Sequence, residues 1–597
     1  MSAVQLRDRL LDRSAWKGPG PEAWVGDLSP IAPADWSYDR AAHLLERAGF
    51  GGTPEDVARL ARMTPREAVD SLVDYEAVPD DLPPFVHSGL WDPSLRDFPP
   101  SRPAATRRAE TTGEAMGVKV KPAGPRRLQP VVDRFFYWLR ATALETRRVG
   151  AWWANRMVAT RRPLEEKMTL FWHGHFATGE SKIRDYRKML QQLELLRREA
   201  TGNFGVLLEG VAKDPAMLVY LDAGQNVKGA PNENFAREVM ELFTMGVGHY
   251  SEHDIREAAR AFTGWIDDDL AFRVDAPRHD DGPKTFLGRT GPFDGVDILR
   301  IILEQKATAD TIATKIYRFF AAEELEEGLS GRLGALLRDS GYEVKPLLRT
   351  LFLSRDFYGP RAFGTHIKSP VELVVTCYRQ LGLASLPGVP DFHATCEELG
   401  QILLNPPTVA GWPQGRGWMT PGVLLSRGNF ARDVLFPNLI EFVDPNYDPG
   451  DQIRQVNVKI RAGLDIGAAT IEQAEGEGGM KAADAVAAAE DFNTRYASLV
   501  GWQEAVARVI PTPRDPPRLD LVAMVRGAGA ATALDAVDAL LARFLHRPID
   551  ARAREALAAY LTEQIGGDDL ARAETYLEQP LRRVAHLVMS IPEYQLS

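Results

Sequence analysis

Cysteine is almost missing from this chain. Its 597 residues include two, Cys377 and Cys396, too few for a disulfide framework or a Cys-rich zinc or iron–sulfur site. Both read as buried thiols. No Cys-x-x-Cys-His run occurs, which removes covalent haem attachment and leaves only non-covalent haem held by a histidine. No stretch approaches the roughly 18 apolar residues of a membrane span, so no transmembrane segment is expected. The N-terminal MSAVQLRDRLLDRSAWKGPGPEAW is charged throughout and lacks the apolar run of about 7–15 residues that a secretory signal needs. The expected compartment is therefore cytoplasmic. Positive charge is also in deficit: the net charge of −11 argues against a nucleic-acid partner.

What remains is an ordinary globular composition, 45% hydrophobic and 26% charged, on a chain long enough for more than one subdomain. The patterning predicts a mainly α, multi-helical, multi-lobed bundle with one small β-hairpin insertion. Residues 1–35 read as an N-terminal arm, rich in Gly and Pro after a short amphipathic start. Residues 36–440 read as the main helical domain, interrupted by a loop-rich insertion at 77–130 and the hairpin at 266–293. Residues 441–535 read as an Ala/Glu-rich helical insertion or linker. Residues 536–597 read as a C-terminal helical unit packing on the main domain.

Local signals support the helices. Thr53-Pro54 and Thr64-Pro65 each set an N-capping Thr before a Pro at the first helical position. Ser251 with Asp254 three residues on is close to a capping box. Phe135, Trp138, Leu139 and Ala143 fall on one helical face and read as core. In the hairpin region Phe272 and Val274 alternate, Asp281-Gly282 turns, and Thr285–Leu287 returns. The segments IYRFFAAEELEEGLSGRLGALL and LLARFLHRPIDARAREALAAYL, each followed by an apolar helix, a Ser and an aromatic, suggest a duplicated helical unit.

Functional residue types concentrate between Glu165 and Trp265, which hold His173, His175, His249 and His253 among the chain's 11 histidines. His173 and His175 point about 200° apart on a regular helix. They can address one site only if the helix ends or distorts between them, and Gly174 makes that plausible. As neutral imidazoles they suit metal ligation or acid–base work; helix-end histidines bonded to carbonyls are the alternative. In NENFAREVMELF, Glu233, Arg237 and Glu241 can form an ion-pair ladder. Asn234, Glu238 and Glu241 share a face that can offer two carboxylates to one pocket, with Arg237 or a metal as their partner. His279, Asp280, Asp281 and Lys284 sit where the hairpin can close that pocket. The loop with Asn405-Pro406-Pro407 and Gly411-Trp412-Pro413 is rigid and suited to lining a cleft, with Arg416, Trp418 and Arg427 beside it.

LLERAGFGGTPEDV, KMTLFWHGHFATG, DPAMLVYLDAGQN, NENFAREVMELFTMGVG, AARAFTGW, HDDGPKTFLG, KSPVELVV and GQILLNPPTVAGWP together resemble the bacterial family catalogued as domain of unknown function 1800. The resemblance spans about residues 36–435, with an echo at SIPEYQL. The family brings no settled activity. Its members are often encoded beside a second family, domain of unknown function 1501, whose members commonly carry export signals. Many relatives begin with a signal or lipoprotein segment, from which this chain departs. The resemblance implies a companion protein of that second family as a partner, and export in its company as an alternative compartment.

Three functions follow as expectations. The first is a metal-assisted or acid–base enzyme, with a hydrolase as its broad form. His173, His175 and Glu238 would ligate zinc, iron or manganese, and Glu241, Asn234, Arg237, His279 and Asp280 would be catalytic. The second is a non-enzymatic binding or maturation partner of the companion protein. The third is a redox or haem-binding protein.

Overall fold

A computed structural model describes residues 17–95, 129–437 and 499–597, except residue 546. The amphipathic start of the N-terminal arm, the Arg/Pro-rich run at 96–128 and the Gly-rich part of the Ala/Glu-rich linker lie outside the described residues. The rest is mainly α, with two small two-stranded antiparallel sheets among the described residues. No described helix is long and apolar enough to cross a membrane.

The caps are where local chemistry puts them. Thr53, Thr64 and Ser251 close capping boxes with Asp56, Glu67 and Asp254, and Pro54 and Pro65 open their helices. Strand β1 (Trp265–Asp268) pairs with β2 (Ala271–Val274), and β3 (Lys284–Phe286) with β4 (Arg289–Gly291). The β insertion is therefore two successive hairpins, and Asp281-Gly282 does not join paired strands. The second hairpin turns at Leu287-Gly288, both with positive φ (46° and 77°). That is the twist-compatible two-residue turn, with Leu in the place usually taken by Asn or Asp.

Buried apolar side chains form two clusters. One draws mainly on residues 24–75 and 196–362; the other draws on Phe50, residues 85–95, the long Gln129–Ala159 helix, residues 183–193, Ala216, and residues 371–435 and 505–594. The suspected duplication corresponds to a repeated order of elements. Helices Lys306–Phe320, Leu329–Asp339 and Val344–Leu353, then the 3-10 turn Asp356–Tyr358, build the first cluster. Helices Ala533–Phe544, Ala551–Ile565 and Glu578–Ser590, then the turn Pro592–Gln595, build the second. Each closing turn is tied to an extended segment: Ser354 bridges Pro30, and Leu596 bridges Ile367.

The Pro163–His175 helix belongs to both clusters. Leu164, Met168, Phe171 and Trp172 pack into the first and Leu170 into the second, and every residue but Gly174 is buried. A helix buried all round is expected to be apolar all round. This one carries Glu165, Glu166, Lys167, His173 and His175, so its polar groups need partners. Glu166 is bonded by Arg156 (2.9 Å), Arg197 (3.1 Å) and the Trp153 indole N–H (3.0 Å). Lys167 pairs with Glu372, which also caps its own helix by accepting from the Ser369 N–H (2.7 Å) and accepts from His366 Nε2 (3.1 Å). Alongside, Lys368 pairs with Glu46 at 2.7 Å, and Arg47 donates to the carbonyls of Phe319 (2.7 Å) and Phe320 (3.0 Å). Charges from LLERAG, KMTLF and KSPVE thus meet along the seam between the clusters.

Removing one member of such a pair strands the other as a buried charge. Lys167→Met or Glu372→Gln alone should cost about 3–5 kcal/mol of unfolding free energy. In a urea-denaturation cycle the double substitution should lose clearly less than the sum. Simple additivity would mean that the two are not coupled.

Candidate functional site

A cavity of about 410 Å³ opens along this seam. Phe171, Gly174 and His175 of the Pro163–His175 helix form one wall, and Lys315, Arg318 and Phe319 of the Lys306–Phe320 helix form a second. Ser369, Glu372 and Gln401 close the third, and the loop carrying Trp412 and Trp418 covers the top. Trp412, Pro413 and Trp418 of the expected Pro/Trp loop line the cleft, whereas Asn405-Pro406-Pro407, Arg416 and Arg427 are not on its wall. Gly411, at φ +87°, is required there: a Cβ would lie 2.4 Å from the Gly174 carbonyl oxygen.

The chemistry centres on two side chains. His175 Nε2–H donates to the Phe243 carbonyl (3.1 Å), which fixes the tautomer and leaves Nδ1 to accept from Lys315 Nζ at 3.3 Å. Lys315 also donates to the Leu242 carbonyl at 2.6 Å. Leu242 and Phe243 follow the Asn234–Glu241 helix, so their carbonyls sit at the negative end of its dipole. Burial holds the His175 imidazolium far below the ordinary histidine range, with the Lys315 charge adding to the effect. Burial also pulls the Lys315 amine down to about 8. The partners given to Lys315 are a carbonyl and a neutral imidazole; no carboxylate pairs with it among the described residues.

His173 faces elsewhere. The helix stays regular through His175, ending at Phe176, so the two imidazoles take the opposed directions that a two-residue separation dictates. His173 Nε2 accepts from the Leu404 N–H (3.1 Å) between the rings of Trp153 and Trp412, and burial pushes its pKa down to about 3. Glu238 lies with Glu241: burial and the Glu241 charge raise the Glu238 carboxyl, and Glu241 accepts from the Tyr250 hydroxyl at 3.2 Å. His173, His175 and Glu238 are therefore not brought together as ligands. Among the described residues no group of three His, Cys, Asp or Glu is placed to hold a metal.

The remaining expected residues hold the scaffold. Asn234 donates to the Leu221 carbonyl (3.2 Å), and Arg237 bridges Glu233 (3.2 Å) and Glu252 (2.9 Å) on the surface. His279 donates through Nδ1 to the Thr263 carbonyl (2.8 Å), and Asp280 pairs with Arg260 (2.9 Å), fastening the hairpins to the Glu252–Ala261 helix. Of the expected set only His175 lines the cavity. Lys315, Arg318, His366 and Glu372 escaped the sequence reading. The Ser369-Pro370-x-Glu372 capping box was a legible signal for Glu372; Lys315 and Arg318 in the otherwise apolar IATKIYRFF were a weaker one.

Two outcomes test this description. His173→Ala leaves the buried Leu404 N–H unbonded and a void between two indoles, and should cost about 2–4 kcal/mol in chemical denaturation. Burial also depresses His366 and His393 to about 4. The unfolded chain, whose imidazoles titrate near 6.5, therefore binds more protons than the folded one between pH 6.5 and 4. Stability should be intact above that window and fall through it, by up to about 1.4 kcal/mol per pH unit for each such histidine. A flat urea midpoint from pH 7 to 4.5 would contradict this burial.

No curated protein and no solved structure matches this chain. The family described as "Protein of unknown function (DUF1800)" matches residues 43–596, and that span, nearly the whole chain, takes in every element that walls the cavity. The chain belongs to this family.

Proposed function

We propose that the seam cavity is the reaction site of an acid–base enzyme in which Lys315 carries the proton and neutral His175 orients it. The observation that supports this most directly is an amine held at the cavity wall by two uncharged acceptors, Leu242 O and His175 Nδ1. A lysine whose pKa lies near the working pH can both give and take a proton, which an ion-paired lysine cannot. Lys167, more deeply buried, is the contrast: its ammonium is committed to Glu372. Arg318 adds a solvent-facing cation at the same wall, while Phe171, Phe319, Trp412 and Trp418 supply apolar surface. That combination fits a small substrate with an apolar or aromatic body and an anionic group. The metal-assisted version finds no ligand set among the described residues, so the acid–base version is carried forward.

A second reading, the binding partner of a companion protein, is favoured by one observation. Leu424 and Leu425, at the start of the Pro421–Leu435 helix just after the Trp loop, are 51% and 69% exposed.

The enzyme reading is tested by thermal-shift titration with small aromatic and aliphatic carboxylates. At least one should raise the melting temperature of the wild type, and the shift should vanish in folded Lys315→Met. A shift indifferent to Lys315→Met and Trp418→Ala, or none at all, would remove the cavity as a substrate site. Co-purification of the companion protein, lost on Leu424→Ser/Leu425→Ser with Lys315→Met neutral, would favour the second reading.

A further inference from the structure

We infer that Lys315 acts as a nucleophile as well as a proton carrier: the cavity takes an aldehyde or ketone that bears a carboxylate, and joins its carbonyl carbon to Nζ as an imine. This rests on the acid–base reading of the cavity and names its substrate class.

The geometry comes first. Nζ has four tetrahedral positions. One is taken by its own carbon chain, one is directed at Leu242 O (2.6 Å) and one at His175 Nδ1 (3.3 Å). Both partners are acceptors, so both hold N–H hydrogens. The fourth position is where the lone pair stands once the ammonium loses its proton, and the amine lies on the wall of a roomy cavity. His175 cannot donate to that lone pair through Nδ1, because its single proton is engaged with Phe243 O. The nitrogen is thus oriented with its nucleophilic direction unblocked by either neighbour.

Electrostatics point the same way. A nucleophilic lysine is made by desolvation and by a nearby cation, and unmade by a carboxylate partner. Lys315 has the burial, which by itself lowers its pKa, and no carboxylate partner among the described residues; Arg318 lies three residues along the same helix on the same cavity wall. An amine titrating at about 8 is roughly 10% unprotonated at pH 7, against about 0.04% for an ordinary lysine at 10.4. Arg318 and the indole walls then suit a carboxylate and an apolar body on the carbonyl compound.

The step balances without an oxidant or reductant. Lys315 ammonium gives one proton to water. The free amine adds to the carbonyl carbon: a C–N bond forms, the carbonyl π pair becomes an alkoxide, and a proton passes from the new ammonium nitrogen to that oxygen, giving a neutral carbinolamine. The nitrogen lone pair then expels the hydroxyl group, which leaves as water after taking back the proton first given to solvent. The product is a protonated C=N bond, and one water is released per imine formed.

The test uses the full chain, 4-carboxybenzaldehyde and sodium cyanoborohydride at pH 7, with the reduced adduct located by peptide mass mapping. Lys315 should carry the adduct at a level about tenfold or more above any other lysine, and its labelling should rise with pH through about 8. Lys167, locked to Glu372, should stay unlabelled. A wild-type adduct spread over surface lysines, or missing from Lys315, overturns the proposal. Binding of 4-(hydroxymethyl)benzoate, which has no carbonyl to trap, separates the two readings. If this compound binds the wild type and not Lys315→Met while Lys315 stays unlabelled, imine chemistry falls and the acid–base site stands. If it does not bind and Lys315 stays unlabelled, both fall.

Discussion

Five titratable side chains on one buried helix set the terms for the rest of the structure. Glu165, Glu166, Lys167, His173 and His175 project from Pro163–His175 in every direction, and an unpartnered charge in such surroundings is costly. Each partner found comes from a different part of the chain: Arg156 and Arg197 for Glu166, Glu372 for Lys167, Leu404 for His173, Phe243 and Lys315 for His175. The two apolar clusters consequently cannot slide over each other as two greasy surfaces might. A buried ion pair adds little net stability compared with a hydrophobic pair, but it tolerates few relative positions. Its value here lies in fixing the register of two cores that share a helix, and the cavity is the gap that this register leaves.

Much of the architecture was legible. Capping residues and apolar stripes depend on neighbours within a few positions, and sequence records those directly. Thr53, Thr64 and Ser251 cap as their spacing dictates. The two hairpins were harder: strands of three or four residues carry little periodicity, and the alternation of Phe272 and Val274 does not say which strand they face. Leu287 in a left-handed conformation has no sequence signature at all.

The site was less legible for a physical reason. Histidine and carboxylate density along the chain drew attention to Asn234, Arg237, Glu241, His279 and Asp280, yet their hydrogen bonds fasten helices and hairpins together. What distinguishes Lys315 is the lack of a charged partner among the described residues, and that lack is a property of three dimensions. The same holds for His173 and His175, where the decisive question was whether the helix breaks at Gly174. It continues to His175, and the glycine that matters to the close approach of the Trp loop is Gly411, where a Cβ would lie 2.4 Å from the Gly174 carbonyl oxygen.

The carbonyls of Leu242 and Phe243 have a mechanical meaning. They hold Lys315 and His175 together, and they extend from the end of the Asn234–Glu241 helix, whose Arg237 is moored at the surface to Glu252. That helix is a short pushrod between solvent and the cavity. An axial slip of a single residue rise, about 1.5 Å, would detach both carbonyls at once.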